Sequence, residues 1–271
     1  APPVGGIVPE IATRYHVEVI NYCLRKALEG AHTDLKDINL ISVTQGPGLI
    51  GALMVGISFA KALSLGLKTP FIGVNHVIAH LWANFLTPPG PRFSFMGLVV
   101  SGGHTSLILV RGPDDYRILG QTQDDAAGEA FDKAARILAL GYPGGPAIEK
   151  IAKRSSGKGI KFSVPLLPGN SLDFSFSGIK TAVLYHVRGI RPAKKLGPAQ
   201  TADIAFAFQE AVCEAVVNKT IQACVKNRIK DLAVGGGVSA NLRLREKLSA
   251  AASQNGIRFF APPIKLCLDN A

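Results

Sequence analysis

An α/β fold is predicted for this chain by three observations. Short apolar runs rich in β-branched residues alternate with longer segments of helical period. Many of the 29 glycines and 17 prolines fall at the junctions, where tight turns between strand and helix require them. Hydrophobic residues make up 47% and charged residues 18% of the 271 positions. That is enough apolar material for a large core or two lobes, and too little charge for a disordered chain.

Taken in order, residues 10–30 place Ile11, Tyr15, Val19, Tyr22, Leu24, Ala27 and Leu28 at helical spacing, with Gly30 as the stop. Residues 39–44 read as a strand, 45–48 as a sharp turn, and 49–65 as an apolar helix. Its small residues, among them Gly51, Ala52, Gly56 and Ala60, suit close packing on a sheet. Residues 70–74 form a short strand that leads into a helix carrying His76 and His80. The run 88–91 (Pro-Pro-Gly-Pro) is the clearest break in the chain, so a first lobe is placed at 1–92 and a second at 93–271.

The second lobe opens with a buried strand at 95–100, turns at 101–105 and returns as a strand at 106–110, which makes a hairpin. Residues 124–140 read as a helix that begins with acids and ends at Gly141. Residues 142–146 (Tyr-Pro-Gly-Gly-Pro) form a rigid turn. Residues 154–200 are basic and rich in Gly, Pro and Ser, and read as an insertion. A long amphipathic helix follows at 201–225, then a strand at 231–234, a glycine turn at 235–241, a helix at 242–253 and a short strand at 258–261.

The formal net charge is +11 and the isoelectric point about 9.6, which favours an anionic partner, with nucleic acid the leading candidate. Phosphate contacts are expected from among Lys153, Arg154, Lys158, Lys161, Arg188, Arg191, Lys194 and Lys195, each of which serves equally as a solvated surface charge. Four widely spaced cysteines form no Cys-x-x-Cys pair, so a zinc ribbon and a dithiol redox site are excluded. Buried thiols in a reducing compartment are expected. No apolar run approaches the length of a bilayer span and no signal peptide opens the chain, so no membrane partner is expected.

Several motifs bear on chemistry. His76 and His80 are four apart, the spacing by which one helical face offers two nitrogen ligands to a metal. The same spacing is met where one histidine packs and another is solvated. Val77 stands where a zinc protease of the His-Glu-x-x-His kind needs its glutamate, so that reaction is disfavoured. Ser101-Gly102-Gly103 offers a hydroxyl and backbone amides at a strand end, suited to an anion or simply to a tight turn. Gly235-Gly236-Gly237 followed by Asn241 suits a nucleotide laid against backbone, with Asn241 serving as ligand or as helix cap. Asp125, Glu129 and Asp132 fall on one side of the expected helix, where carboxylates can hold ribose hydroxyls or a cation. The helix dipole alone accounts for Asp124 and Asp125. Glu149 is placed to meet a ribose, and Asp269 to complete a two-histidine metal site.

Taken jointly and in this order, these segments resemble the TsaD family, once named O-sialoglycoprotein endopeptidase. Gly5–Glu10, Gly46-Pro47-Gly48, Asn75-His76, Val100–Thr105, Asp124–Lys133, Tyr142–Pro146, Ser175–Thr181 and Gly235–Asn241 all take part. The resemblance implies an actin-like ATPase (ASKHA) fold, with two lobes of duplicated ribonuclease-H-like units. It implies a tRNA threonylcarbamoyltransferase, moving threonylcarbamoyl from threonylcarbamoyl-AMP to the amine of the adenosine 3′ of the anticodon, in tRNAs reading A-starting codons. By the same carry-over, His76, His80 and Asp269 ligate iron or zinc. Val99, Val100, Ser101, Gly102 and Gly103 contact the substrate, and Asp132, Gly145, Glu149 and Asn241 hold its adenosine part. TsaB and TsaE are the implied protein partners, and a bacterial cytoplasm or an organelle matrix the implied compartment. Family members begin with an earlier strand and continue past Ala271, so the chain is expected to be truncated at both ends. A metal-dependent endopeptidase and a non-catalytic nucleotide-binding scaffold are the competing readings.

Overall fold

The computed structural model describes residues 8–157, 159–164, 169, 171–190 and 196–268. They divide into two compact units, one up to Ala79 and one from His80 onward. Within the first, helix α1 (Pro9–Ala31) is followed by strand β1 (Ile41–Gly46), helix α2 (Ile50–Leu67) and strand β2 (Phe71–Asn75). Pro9 suits the start of α1, because its fixed φ is already helical and a first-turn N–H has no partner to lose. The helix runs past the expected stop at Gly30. His32 closes it at φ 51°, and the Thr33 N–H reaches back 3.2 Å to the Leu28 carbonyl. β1 and β2 pair in parallel, with α2 as the crossover packed on β1 and α1.

α2 corrects one expectation. At 18 residues it is long and apolar enough, by length and composition, to cross a membrane. Its glycines and serines hid the length of the run, because small residues interrupt an apolar string without interrupting a helix. Among its residues Ala60 is buried, and Ile50, Met54 and Leu65 are exposed.

Helix α3 (His76–Trp82) straddles the division. In the second unit come β3 (Phe95–Val100), β4 (Thr105–Val110), β5 (Tyr116–Gln121), α4 (Ala127–Ile137) and α5 (Gly144–Ala152). Then follow α6 (Ser177–Ile190), α7 (Pro198–Lys226), β6 (Asp231–Gly235), α8 (Leu242–Gln254) and β7 (Arg258–Phe260). The sheet order is β5-β4-β3-β6-β7. β3, β4 and β5 form an antiparallel meander, while β6 and β7 run parallel to β3. A meander followed, after helices, by two parallel strands is the ribonuclease-H-like arrangement. The first unit repeats its final part, since α1-β1-α2-β2 has the order and parallel pairing of α7-β6-α8-β7.

The wholly apolar run of β3 is explained by burial on both faces. Met96, Leu98 and Val100 enter the main core with Phe131, Ile148, Ile179 and Phe208. On the opposite face a Cβ at Gly97 would run into Leu81, and Phe95 packs with Trp82, Phe85 and Phe93. Asn84 donates from Nδ2 to the Val234 carbonyl at 3.0 Å, and the Arg92 N–H to Asp231 Oδ2 at 2.7 Å. These bonds explain why the second unit begins at His80, earlier than the expected boundary near 92.

Two further differences have clear causes. β5 was not foreseen, because it is an edge strand with Tyr116, Arg117, Ile118 and Gln121 exposed and no alternation to read. Within 154–200, α6 is core rather than insertion: Ile179, Val183 and Val187 are buried at spacing four. The Gly, Pro and Ser residues around them obscured that period.

Candidate functional site

The second unit gathers its glycine turns where the neighbouring parallel strands β3 and β6 end, with Val99 opposite Gly235 in register. After β3, the Ser101 N–H bonds the His104 carbonyl at 2.7 Å and the His104 N–H bonds Ser101 Oγ at 3.0 Å, closing the hairpin. Val99 and Val100 are fully buried, so what they offer a ligand is backbone. Gly102 and Gly103 are exposed, and a Cβ at either would meet open space. After β6, Gly236 stands at φ 91° and ψ 160°, and a Cβ there would lie 2.5 Å from the Val100 carbonyl oxygen. Gly237 beside it opens on empty space. One turn is therefore packed against the other through Gly236, while Gly102, Gly103 and Gly237 leave backbone accessible.

Helix starts line the same region. The Gly128 N–H of α4 bonds the Ser101 carbonyl at 3.1 Å, and the Ala127 N–H bonds Thr105 Oγ1 at 3.0 Å. A Cβ at Gly128 would lie 2.7 Å from Gly102 Cα, so this glycine permits α4 to touch the turn. Asp132 Oδ1 accepts from the Gly144 N–H at 2.7 Å and so caps α5, next to Gly145, which is open. Glu149 Oε1 accepts from the Leu242 N–H at 3.2 Å at the start of α8. Asn241 caps the same helix, its Oδ1 accepting from the Leu244 N–H at 2.9 Å while Nδ2 donates to buried Gln209 at 3.0 Å. The Asn241 amide is thus engaged at both ends, as a cap rather than as a free reader of a base edge.

The acids of 124–132 do not act as one carboxylate cluster, which corrects that expectation. α4 begins only at Ala127. Asp124 caps α6, accepting from Ser175 Oγ at 2.6 Å and the Phe176 N–H at 2.8 Å. Asp125 pairs with Lys133 at 2.5 Å and Lys180 at 3.2 Å, and Lys133 also pairs with Glu129 at 2.9 Å. Burial works against the Asp125 charge, but hydrogen bonds from Lys133 and Lys180 outweigh it and hold the carboxyl below its ordinary value. The same bonds, from Asp125 first and Glu129 next, raise Lys133. Sequence reasoning also missed the ion network of α7 and α8, where Arg243 and Lys247 meet Glu210 at 2.6 and 2.8 Å. Burial opposes the Glu210 charge too, and the two bonds again prevail.

His76 and His80 lie on α3, one turn apart, and the Nδ1 atoms of both rings are shielded from solvent. The helix start is held by Asn75, whose Oδ1 accepts from the Val77 N–H at 2.9 Å and the Ile78 N–H at 3.2 Å. Two imidazoles on one helical face fit a borderline cation such as zinc or ferrous iron. Asp269, the third expected ligand, lies outside the described residues, and among the described residues there is no group of three His, Cys, Asp or Glu placed for a metal. Lys153, Arg154, Lys161 and Arg188 are exposed, whereas Lys158, Arg191, Lys194 and Lys195 lie outside the described residues. A hollow of about 540 Å³ lined by Ile160, Lys161, Phe162, Phe206, Glu210 and Glu214 includes one expected phosphate contact, Lys161, and none of the expected metal or substrate residues.

A ribonuclease-H-like unit with paired glycine turns at its strand ends, preceded by a partial repeat of itself, defines the actin-like ATPase class of fold. Solved structures agree: HypF from T. kodakarensis superposes with a TM-score of 0.63 at 16% identity, over 85% of this chain and 38% of that one. Full-length HypF in its phosphate- and nucleotide-bound form gives 0.67 at 11%, over 92% and 40%. The family described as tRNA N6-adenosine threonylcarbamoyltransferase (TsaD) matches residues 1–271, and the chain belongs to it. Curated transferases of that name are similar throughout. The protein of Dictyoglomus turgidum is 54% identical, over 98% of this chain and 78% of its own length. Those of Caldicellulosiruptor saccharolyticus and Thermosipho melanesiensis are each 49% identical over 98% of this chain, and over 78% and 80% of theirs.

Proposed function

We propose that this chain transfers threonylcarbamoyl from threonylcarbamoyl-AMP to N6 of the adenosine 3′ of the anticodon in tRNA. The observation that carries the reading is the pair of open glycine turns at the ends of the adjacent parallel strands β3 and β6.

The donor is a mixed anhydride, so its carbamoyl carbon is already activated. N6 attacks that carbon, a C–N bond forms, the bond to the phosphate oxygen breaks, AMP departs and N6 loses a proton. An adenine amine is a weak nucleophile, so the chain contributes chiefly by positioning and by stabilising the anionic leaving group. Backbone at Gly102, Gly103 and Gly237 meets the phosphate with no side chain between. Asp132 and Glu149 each spend one oxygen on a helix start, and the second oxygen of each is offered to ribose hydroxyls. His76, His80 and Asp269 are the residues that would hold a divalent iron or zinc ion, which would supply Lewis-acid polarisation and a template without redox change. The net charge of +11 suits both the adenylate and the tRNA, whose binding weakens with salt. TsaB- and TsaE-like partners and a cytoplasmic setting complete the reading.

The test incubates the full-length enzyme and its partners with threonylcarbamoyl-AMP and unmodified tRNA, then digests the tRNA and looks for the modified nucleoside. Wild type forms it, and His76→Ala/His80→Ala does not. Peptide cleavage without modification overturns the transferase reading. Equal modification by the double variant removes the metal assignment alone.

A further inference from the structure

We propose that Arg92, Arg228, Lys230 and Arg258 form a phosphate-binding strip for the tRNA backbone, at the edge of the second unit opposite the glycine turns. The proposal rests on tRNA being the acceptor, and it uses neither the metal site nor the donor site. The glycine turns follow β3 and β6, whereas these four residues precede β3, β6 and β7. The five residues of β6 separate the two ends by about 15 Å at ~3.3 Å per residue.

The strip is built around one buried carboxylate. The Asp231 side chain is 3% exposed and that of Arg258, its partner in register on β7, is 50% exposed. Asp231 Oδ1 accepts from Arg258 Nε at 2.8 Å, and Oδ2 accepts from Arg258 Nη2 at 2.6 Å and from the Arg92 N–H at 2.7 Å. The guanidinium also lies over the Phe260 ring, 5.7 Å from its centroid. Asp231 takes two of the five N–H groups of Arg258, so three remain in a fixed orientation for an outside acceptor. A planar fork held in this way suits phosphate oxygens. The Arg258 N–H bonds the Lys230 carbonyl at 2.8 Å, and Lys230 Nζ lies 3.9 Å from where a Cβ at Gly256 would stand. Arg228 closes α7 at φ 56°, a left-handed position that glycine occupies at least cost, yet an arginine stands there.

Arg92, Arg228 and Lys230 are exposed, and among the described residues none of the three has an ion-pair partner. Asp231 is the sole acid in residues 88–95, 225–231 and 253–261. Asp114 and Asp115 lie in the turn between β4 and β5, on the other side of β3, where Arg111 meets Asp115 at 3.9 Å. The dipole of α7 favours Lys226 and Arg228 at its end, but it does not account for Arg92, Lys230 or Arg258. The cations run along the edge from the end of α7 to the start of β3, an arrangement that fits successive phosphates of a polyanion.

The experiment uses the full-length enzyme with its partners as wild type, as Arg228→Gln/Lys230→Gln, and as Arg111→Gln/Arg117→Gln, a control of equal charge beyond the opposite side of β3. All four replaced residues are exposed, so the variants fold. Binding of tRNA is followed by fluorescence anisotropy over a salt series, and AMP affinity by calorimetry. Each lost phosphate contact lowers the slope of log affinity against log salt by about 1, so Arg228→Gln/Lys230→Gln loses about 2 and the control keeps the wild-type slope. The weakening is the same for tRNAs of different sequence, and AMP affinity is unchanged because the glycine turns are untouched. A wild-type slope in Arg228→Gln/Lys230→Gln overturns the proposal, even where affinity for inorganic phosphate has fallen, since the strip is then a small-anion site. An equal loss in the control overturns it too, because net charge alone then explains the effect. A wild type with no affinity for tRNA overturns the proposed function itself, which is distinct from a failure confined to the variants.

Discussion

Replacing Gly236 with alanine is the sharpest test of how the two glycine turns meet. At φ 91° and ψ 160° the backbone occupies a region that only glycine enters freely, and forcing another residue there costs about 1–3 kcal/mol. The added Cβ would lie 2.5 Å from the Val100 carbonyl oxygen and 3.2 Å from Ser101 Cβ. The nearest obstacle is backbone in a buried strand and cannot swing aside, so overpacking adds about 1–3 kcal/mol. The expected loss is the sum, about 2–6 kcal/mol, read as a fall in the urea midpoint at constant slope. Gly237→Ala is the internal control. It sits one residue on in the same turn, outside the left-handed region and with open space before it, so its stability should stay within about 0.5 kcal/mol of wild type. Its Cβ projects instead where the donor is proposed to lie, so AMP binding should weaken. A Gly236→Ala protein as stable as wild type refutes the claim that the turns are packed through this residue.

Other outcomes follow from the same geometry. Asp125 and Glu210 are held below their usual values of 3.8 and 4.5, so their stabilisation is complete above those values and is lost as pH falls through the lower folded ones. Urea stability should therefore drop below about pH 4.5, and Asp125→Asn with Glu210→Gln should flatten that slope; an unchanged slope removes these pairs as its cause. Asn241→Ala should cost about 1 kcal/mol for the helix cap and about 1–3 kcal/mol for the stranded, buried Gln209 oxygen. A variant of unchanged stability but raised donor KM would show the amide to be a ligand and not a cap. Burial pushes the Cys213 thiol up to about 12 and the Cys224 thiol up to about 12, whereas Cys23 is exposed. Brief alkylation of the native protein at pH 8, read by mass spectrometry, should label Cys23 before either buried thiol.

The elements legible in advance were those with one dominant local signal. The long apolar period of α7, the wholly apolar β3, and the glycines after β3 and β6 could each be read from a few neighbouring residues. β5 and α6 could not. An edge strand alternates weakly, and the burial of α6 depends on partners far away in the chain. The acids show the limit most clearly. In sequence, Asp124, Asp125, Asp132 and Glu149 are equivalent carboxylates beside glycines. In three dimensions Asp124 caps α6, Asp132 caps α5, Glu149 meets the start of α8, and Asp125 is neutralised by two lysines.

By itself, the sequence determined the α/β class, the basic charge, the paired glycine turns and the spacing of His76 and His80. All of these are properties of adjacent residues and their periodicity. The tertiary structure alone decided which glycine allows a close approach and which opens on empty space, which acid is already spoken for, and that Arg245 bonds both the Ser239 and the Pro262 carbonyls. A hydrogen bond or a clash depends on where atoms meet in space, and composition and period do not contain that information.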